Sequence, residues 1–396
     1  MKRVWLTTLI AALAVALAMG AIHSMSGGSR PMDGIKVGFI YENDESTPYT
    51  YNFCLAQSTL ERELGDRIQT LTRSNVPDTQ TEEPVRELVQ AGCSILFVNN
   101  YSNEIAKLAR EYPQVQFCQG SFYDGEHENY PDNYHTFNVE IYQGRYISGI
   151  AAGMKLRDLI DTRAIAPEEA LVGYVGAYPS TEVISGFTAF LLGVRSVCPE
   201  ATMRVRYTKA WSSYSREKSC AAALIDEGCV IIAQHTDTIG PAVACEEASA
   251  TRRVFHVGYN QNMIDIAPTT SLVSTRANWS PYILGAVEAV LAGESIEKRV
   301  GGNIHGNDAC GGIDAGWVQM LELNRRIAAY GTQEAMDRAA DALKRGALEV
   351  YKGEYTGVSP NDPEDTVDLR QGYEENEKGS WATFHYVLDD VITIEE

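Results

Sequence analysis

Aromatic rings and carboxamides recur just after short, apolar, β-forming runs in this chain. Tyr41, Glu42 and Asn43 follow the run 37–41 or close it, with Tyr49 and Thr50 a few residues on. Asn99, Asn100 and Tyr101 follow 94–98, Tyr123 follows 116–119, and Asn138 lies within 136–139. In the second half Tyr178 follows 171–175, Trp211 follows 203–207, and Gln234, His235 and Asp237 follow 230–233. Tyr259 and Asn260 come after 254–258, and Arg276 and Trp279 after 271–274. Rings bury the faces of a flat ligand, and side-chain amides donate and accept along one heteroaromatic edge. The chemistry is therefore recognition of a flat, nitrogen-bearing small molecule in preference to a sugar phosphate.

Each of these residues also has a plainer role open to it. A single Tyr or Trp at a strand end packs, Asn99 or Asn100 caps the next helix, and Asp237 caps the helix opening near Pro241. The collection at one edge carries the argument. From the first half it selects Tyr41, Tyr49, Thr50, Asn100, Tyr123 and Asn138 as expected ligand contacts. From the second half it selects Tyr178, Trp211, Gln234, Asp237, Tyr259, Asn260 and Trp279.

Catalytic signatures are missing from the sequence. It holds no G-x-x-x-x-G-K-[ST], no G-x-S-x-G and no H-E-x-x-H. The run GYVG at 173–176 lacks the third glycine of a dinucleotide fingerprint, and the seven His show no metal-ligand spacing. No catalytic residue, metal or cofactor is expected. A nucleoside hydrolase would need water-activating carboxylates, and only Glu42, Asp44, Glu45 and Asp237 fall near the expected cleft.

The elements that must position these residues come in two copies. The run IKVGFIYEN at 35–43 is echoed by LVGYVGAYP at 171–179, and GCSILFVNN at 92–100 by GCVIIAQHT at 228–236. The paired strand signals stand 135 and 136 residues apart, so one supersecondary unit has been used twice. Strands alternate with helical stretches such as 53–64, 82–91, 182–197 and 215–227, each helical run bearing apolar residues at i, i+3, i+4 spacing. This alternation predicts an α/β fold of two similar Rossmann-like lobes with parallel sheets joined by a hinge. Ligands in open parallel sheets bind beyond the carboxyl ends of the strands, which is where the rings and amides fall. The expected boundaries are an export segment with linker at 1–30, lobe one from 31–140 and lobe two from 141–285. Residues 286–396 are expected to return to lobe one and pack as a C-terminal segment. The runs 142–156 and 281–292 carry the chain across and back, and 350–355 adds an edge strand.

The chain has 396 residues with 44% hydrophobic content, enough for one large or two medium cores. Its formal charge is −20, from 53 acidic and 33 basic residues, which argues against nucleic acid or an anionic membrane as partner. The start is basic at Lys2 and Arg3, then apolar from Val4 to Ile22 apart from Thr7 and Thr8, then Ser26 to Ser29. This is an export signal or a retained signal anchor. The protein is expected outside the cytoplasm, at the cell surface or in the periplasm, tethered if at all by residues 4–22. The eight Cys include no C-x-x-C pair, and the first is Cys54, so no lipid-bearing Cys follows the apolar run. Export permits disulfides, and Cys220 with Cys245 on neighbouring helices is the pair that could form.

Several runs together resemble a known family, the basic membrane protein (BMP) type of purine-nucleoside substrate-binding protein for ABC importers. They are GFIY at 38–41, LVQAGCSILF at 88–97, AREYP at 109–113, RYISGIAAG at 145–153 and GYVGAYP at 173–179 with Glu182. ATMRV at 201–205, Trp211, QHTD at 234–237 and WSPY at 279–282 continue the match in order. The last three are similar to the branch associated with free purine bases such as adenine. Tyr49 stands where that branch usually has Trp, Asn260 where Asp is common, and Arg276 near where nucleoside-binding members carry Lys. The resemblance implies a receptor that captures a purine base or nucleoside between two lobes and delivers it to an ABC importer permease, not an enzyme. Two alternatives stay open: the same module as a sensor reporting to a membrane signalling partner, and the hydrolase.

Overall fold

Strands buried on both faces read as continuous apolar runs, and the repeated runs do so because each lies between two parallel neighbours inside its sheet. A computed structural model describes residues 34–120 and 130–395. The apolar N-terminal segment and the expected contact Tyr123 lie outside the described residues.

Lobe one is built on β1 (Ile35–Ile40), β2 (Ile68–Arg73), β3 (Cys93–Val98), β4 (Gln116–Gly120) and β5 (Tyr134–Val139), hydrogen-bonded in the order β2-β1-β3-β4-β5. Lobe two repeats it with β6 (Leu171–Gly176), β7 (Thr202–Tyr207), β8 (Ile231–His235), β9 (Phe255–Tyr259) and β10 (Ser271–Ala277), in the order β7-β6-β8-β9-β10. All these pairings are parallel. The register sets the end of β1 beside that of β3 (Ile40 opposite Val98) and the end of β6 beside that of β8 (Gly176 opposite His235). The fold is the doubly wound α/β arrangement anticipated from the repeat.

Helices α1 (Pro48–Leu64), α2 (Glu82–Gln90) and α3 (Ile105–Glu111) cover lobe one. Helix α1 turns Phe53, Ala56, Leu60 and Leu64 inward, at the spacing that places one apolar stripe on one face. In lobe two, α5 (Thr181–Arg195), α6 (Tyr214–Asp226) and α7 (Gly240–Ala248) play the same part. The repeated glycines Gly92 and Gly228 stand just past α2 and α6 with φ of 88° and 96°. That left-handed turn ends a helix and aims the chain into the next strand at little cost only for glycine.

Helix α4 (Ile141–Asp161) leaves β5 of lobe one and packs on lobe two, and α8 (Ser280–Ala292) leaves β10 of lobe two and packs on α1 in lobe one. Residues 286–396 do not stay with lobe one. Strands β11 (Asn303–His305) and β12 (Asp308–Gly311) extend the first sheet beyond β5, whereas β13 (Val318–Met320) pairs with β10. Helix α9 (Thr332–Lys344) lies on α4, and a small antiparallel sheet follows from β14 (Thr356–Ser359), β15 (Asp362–Asp368) and β16 (Val387–Leu388). Finally β17 (Ile392–Glu395) runs parallel to β7 at the far edge of the second sheet. The expected edge strand at 350–355 is instead a single bridge between Tyr351 and Tyr373, because the stacked pair Tyr351 and Phe384 (centroids 3.9 Å apart) anchors this stretch by side chains. Cys220 and Cys245 do not pair; all eight cysteines are free thiols, these two within the apolar layer where α6 meets α7.

The approach of α4 to α5 is backbone to backbone. A Cβ added to Gly193 would stand 2.0 Å from the Tyr146 carbonyl oxygen, and one on Gly149 2.1 Å from that of Phe190. Two helices this close cannot admit a methyl without separating. Gly193→Ala is therefore expected to lower stability by about 1–3 kcal/mol. Urea unfolding should show an earlier midpoint at unchanged slope; a change under about 0.5 kcal/mol would show that the crossing yields freely.

Candidate functional site

Parallel sheets put every βα loop at one edge, so the two sheets' carboxyl ends can enclose a cleft between lobes. A cavity of about 410 Å³ lies there. Lobe one contributes Glu42 and Asn43 after β1, Thr47 and Tyr49 at the start of α1, Asp78 after β2 and Tyr101 after β3. Lobe two contributes Tyr178 after β6, Glu182 in the first turn of α5, and Ala210, Trp211 and Ser212 after β7. Asp237 after β8, with Tyr259 and Asn260 at the end of β9, completes it. A wider, open groove of about 960 Å³ runs beside Tyr41, Cys54 and Ser74, but it draws on lobe one alone.

The rings are held from behind. Tyr178 is 40% exposed and meets Trp211 edge-on at 6.2 Å. Trp211 lies 6.1 Å from the buried His235 ring, which in turn meets Tyr259 at 4.8 Å. Under Tyr259 the Arg145 guanidinium sits 3.9 Å from the ring centroid, its Nη1 donating to the Gln234 carbonyl at 2.7 Å. Arg145 is fully buried with Nε and Nη2 unpartnered, so its charge acts on the cleft from below. Tyr49 donates its hydroxyl to the Gly120 carbonyl and packs edge-on against Phe53 and Trp279.

Four carboxyl groups, Glu42, Asp78, Glu182 and Asp237, belong to the lining, and among the described residues no Lys or Arg does. Burial pushes Glu182 up to about 7, with Arg145 pulling the other way. Burial likewise raises Asp237 to about 7, against a bond from Asn260 Nδ2 at 3.2 Å. Glu42 is also raised, by burial and then by Asp78. Near neutral pH Glu182 and Asp237 are part protonated, so each can donate or accept toward a heterocycle's edge.

Of the expected contacts, Tyr49, Tyr178, Trp211, Asp237, Tyr259 and Asn260 come together in this cleft. The others do not. Tyr41 packs among Phe39 and Phe53 and donates to Gln57 Oε1 in lobe one. Thr50 accepts from Asn99 Nδ2, whose Oδ1 takes the Glu42 amide at 2.7 Å. Asn100 ties the Val76 carbonyl to Thr81, so neither asparagine caps α3. Asn138 turns back onto the Val139 amide. Trp279 is 2% exposed and stacks on Phe53 at 4.6 Å. Gln234 donates to the Thr236 and Thr238 carbonyls, which leaves its Oε1 to accept from His256 Nε2. Asp237 does not cap α7, its carboxylate being engaged by Asn260. Arg276, outside the lining, donates twice to Gln319. Asp78, Thr47, Ala210 and Ser212 line the cleft without having been singled out. Asp78 has a signal: it follows β2, the strand of lobe one that supplies no residue to the expected set.

Two outcomes are expected from this geometry. Trp211→Ala removes a ring at the cleft wall, so ligand affinity should fall by about one to two powers of ten, from a contact worth roughly 1–3 kcal/mol. Loss of ligand-free stability should stay well below the ~3–5 kcal/mol of a truncated core Trp. Titration calorimetry and urea unfolding check the pair; intact affinity with a large stability loss would make Trp211 a packing residue. The second concerns pH. Glu182 and Asp237 have folded pKa values raised above the unfolded carboxylate range, so their stability contribution is complete at acid pH and lost as pH rises through about 7. Melting temperature should fall from pH 5 to pH 8, and Glu182→Gln with Asp237→Asn should flatten that fall. An unchanged slope would mean that these carboxyls ionise as in water.

Comparison with known proteins bears on what such a cleft holds. The family model described as ABC transporter substrate-binding protein PnrA-like (Bmp) matches residues 36–342. A purine-binding protein of Brucella abortus is 30% identical over 273 residues, covering 68% of this chain and 72% of its own. A putative ABC transporter glucose-binding protein of Haloferax volcanii is 27% identical over 74% of this chain and 67% of its own. Among solved structures, an ABC transporter solute-binding protein of Aeropyrum pernix superposes with a TM-score of 0.64 at 13% identity, over 79% of this chain and 92% of that one. One from Conexibacter woesei gives 0.60 at 18% identity, over 80% and 98%. These structures share the fold.

Proposed function

This chain belongs to the PnrA-like (Bmp) family of ABC transporter substrate-binding proteins, and from that premise we propose that its cleft captures a purine base or nucleoside for delivery to an importer. Proteins of this family bind a small molecule and pass it to a membrane permease; they are not enzymes. The observation that carries the purine reading is the lining itself. Five rings, Tyr49, Tyr101, Tyr178, Trp211 and Tyr259, surround a space whose polar groups are carboxyls, hydroxyls and amides. Rings take the two faces of a fused heterocycle, while part-protonated Glu182 and Asp237 match its alternating N–H and ring-nitrogen edge. With no Lys or Arg among the described lining residues, a phosphate would meet carboxylates, so the base or nucleoside is favoured over the nucleotide. The name of the Brucella relative supports the same class of ligand. Capture proceeds by rotation of the lobes about the segments at 139–141, 277–280 and 311–318, where the chain passes between them.

Substrate-binding proteins of ABC importers work in the periplasm or at the cell surface. No described helix is long and apolar enough to cross a membrane. We assign to residues 4–22 the export of this chain, and its tether where they are retained.

A thermal-shift series tests the ligand. On protein unfolded, washed free of small molecules and refolded, adenine, guanine, adenosine or guanosine should raise the melting temperature, and glucose and leucine should not. A hundredfold excess over the dissociation constant stabilises by about 2.7 kcal/mol. No shift with any purine sinks the purine reading; a shift with glucose alone transfers the site to the sugar chemistry named for the Haloferax relative.

A further inference from the structure

One side chain at the inner end of the cleft belongs to lobe one yet reaches the machinery of lobe two. Asn52, on α1, is 3% exposed. Its Nδ2 donates to the Pro48 carbonyl one turn back, at 3.0 Å, and across the lobe boundary to the Asn260 carbonyl at 2.9 Å. Its Oδ1 has no partner, so the side chain is oriented by its two donated bonds alone.

Asn260 is held in an unusual state. Its φ is 61°, left-handed for a residue with a side chain, and it is 1% exposed. Its amide donates to the Thr275 carbonyl, its Oδ1 accepts from the Ala277 amide at 3.4 Å, and its Nδ2 reaches Asp237 Oδ1. The backbone bond from Asn52 is thus one of the restraints that fix the left-handed turn. That turn aims the amide at the carboxyl of Asp237, a residue of the cleft lining.

We propose that Asn52 is a positioning residue: through Asn260 it sets the orientation of the Asp237 carboxyl, so that a group of lobe two is aimed by lobe one. The relay rests on the reading of the cleft as a ligand site only for its consequence in affinity; the geometry of the relay does not require it. Asn52 touches no residue of the cleft lining by its polar atoms except Asn260. The bond lies beside the crossing at 277–280, where rotation of the lobes displaces atoms least.

The test uses Asn52→Leu, which keeps the branched shape and removes both donated bonds without adding charge. The direct readout is the carboxyl carbon of Asp237, followed by NMR through a pH titration of ligand-free protein labelled at aspartate and assigned by its disappearance in Asp237→Asn. The groups that act on this carboxyl are Asn260, Glu217 on α6, Arg145 on α4 and Glu42 after β1, and Glu182 on α5 with the hydroxyls of Tyr49, Tyr101 and Tyr259 shares the cleft with it. Asn52→Leu leaves every charge among them in place. Loosening the Asn260 bond, which stabilises the ionised form, should move the midpoint upward by about half a pH unit. Asn260→Gly, which tolerates the left-handed backbone and deletes the amide, should move it the same way, and Asn52→Leu should add nothing on top. Adenine or guanosine affinity should fall about 3–10-fold in Asn52→Leu, in line with one hydrogen bond. An Asp237 midpoint unmoved by Asn52→Leu, or equal and additive shifts in the double variant, would overturn the relay whatever happens to affinity. If Asn52→Leu does not fold, Asn52→Ser, too short to reach Asn260, takes its place in the same titration. If wild type binds no purine while the midpoint still moves, the ligand reading falls and the relay stands.

Discussion

The structure depends on one constraint of parallel sheets: the strand order must reverse somewhere, and it reverses beside β1 and again beside β6. On one side of each reversal the next connection leaves over one face of the sheet, on the other side over the opposite face. The loops therefore diverge and leave a crevice at the carboxyl ends. One such crevice is shallow. Two of them, brought face to face by α4 and α8 exchanging lobes, make an enclosed space. The lining groups, from Glu42 after β1 to Asn260 after β9, sit on the loops, first helical turns and strand ends at the carboxyl edges of the two sheets.

Charge is arranged around the cleft in depth. Arg145, a formal positive charge close to it, is held on the hinge helix α4 beneath Tyr259 and out of the lining. From there it offsets the burial of Glu182 and Asp237 without offering a ligand anion a direct partner. The two imidazoles of this region are kept neutral. His235 is driven far down by burial and by Arg145, and burial drives His256 to about 3. With its Nε2–H committed to Gln234, His256 locks that amide into the end of β8. Polar groups that a reading by type would send to the ligand are thus spent on holding the floor rigid.

That distinction marks how far the sequence could be read. The two α/β lobes with mostly parallel strands were legible because each repeat needs the same signals, an apolar run with Gly after its first Val and a Gly before the next strand; the strand order within each sheet was not. Which loop residues face the cleft was legible only in part. Tyr49 and Thr50 are neighbours on α1, yet one lines the cleft and the other is bonded to Asn99 inside lobe one. Successive helical positions point about 100° apart, and no composition signal says which of the two looks inward. Trp279 was persuasive as a ring at a strand end, but the chain has already crossed there and the indole faces Phe53. The C-terminal path was illegible for another reason. Strand β17 joins the second sheet through backbone hydrogen bonds, which have no residue signature, and the charges that mark its place, Arg204 and Arg206 facing Glu227 and Glu395, look like any solvated surface.

The late arrival of β17 has a consequence for how the chain reaches its native state. Arg206 and Glu395, partners at that edge, are 189 residues apart in sequence. Strands β11 and β12 are similarly late additions to the first sheet. Neither lobe is a continuous piece of chain, so a nascent or translocating molecule carries two unfinished sheets until residues beyond 300 emerge. Long-range closure of this kind is slow, because loop entropy must be overcome before the contacts form. During that interval the outer edge of β7 presents unpaired amides and carbonyls, the groups through which sheets of separate molecules join. Arg204 and Arg206 stand on that strand and alternate with Met203 and Val205. Before Glu395 arrives the two arginines share the single carboxylate of Glu227, and the positive charge left over repels a second copy of the same edge.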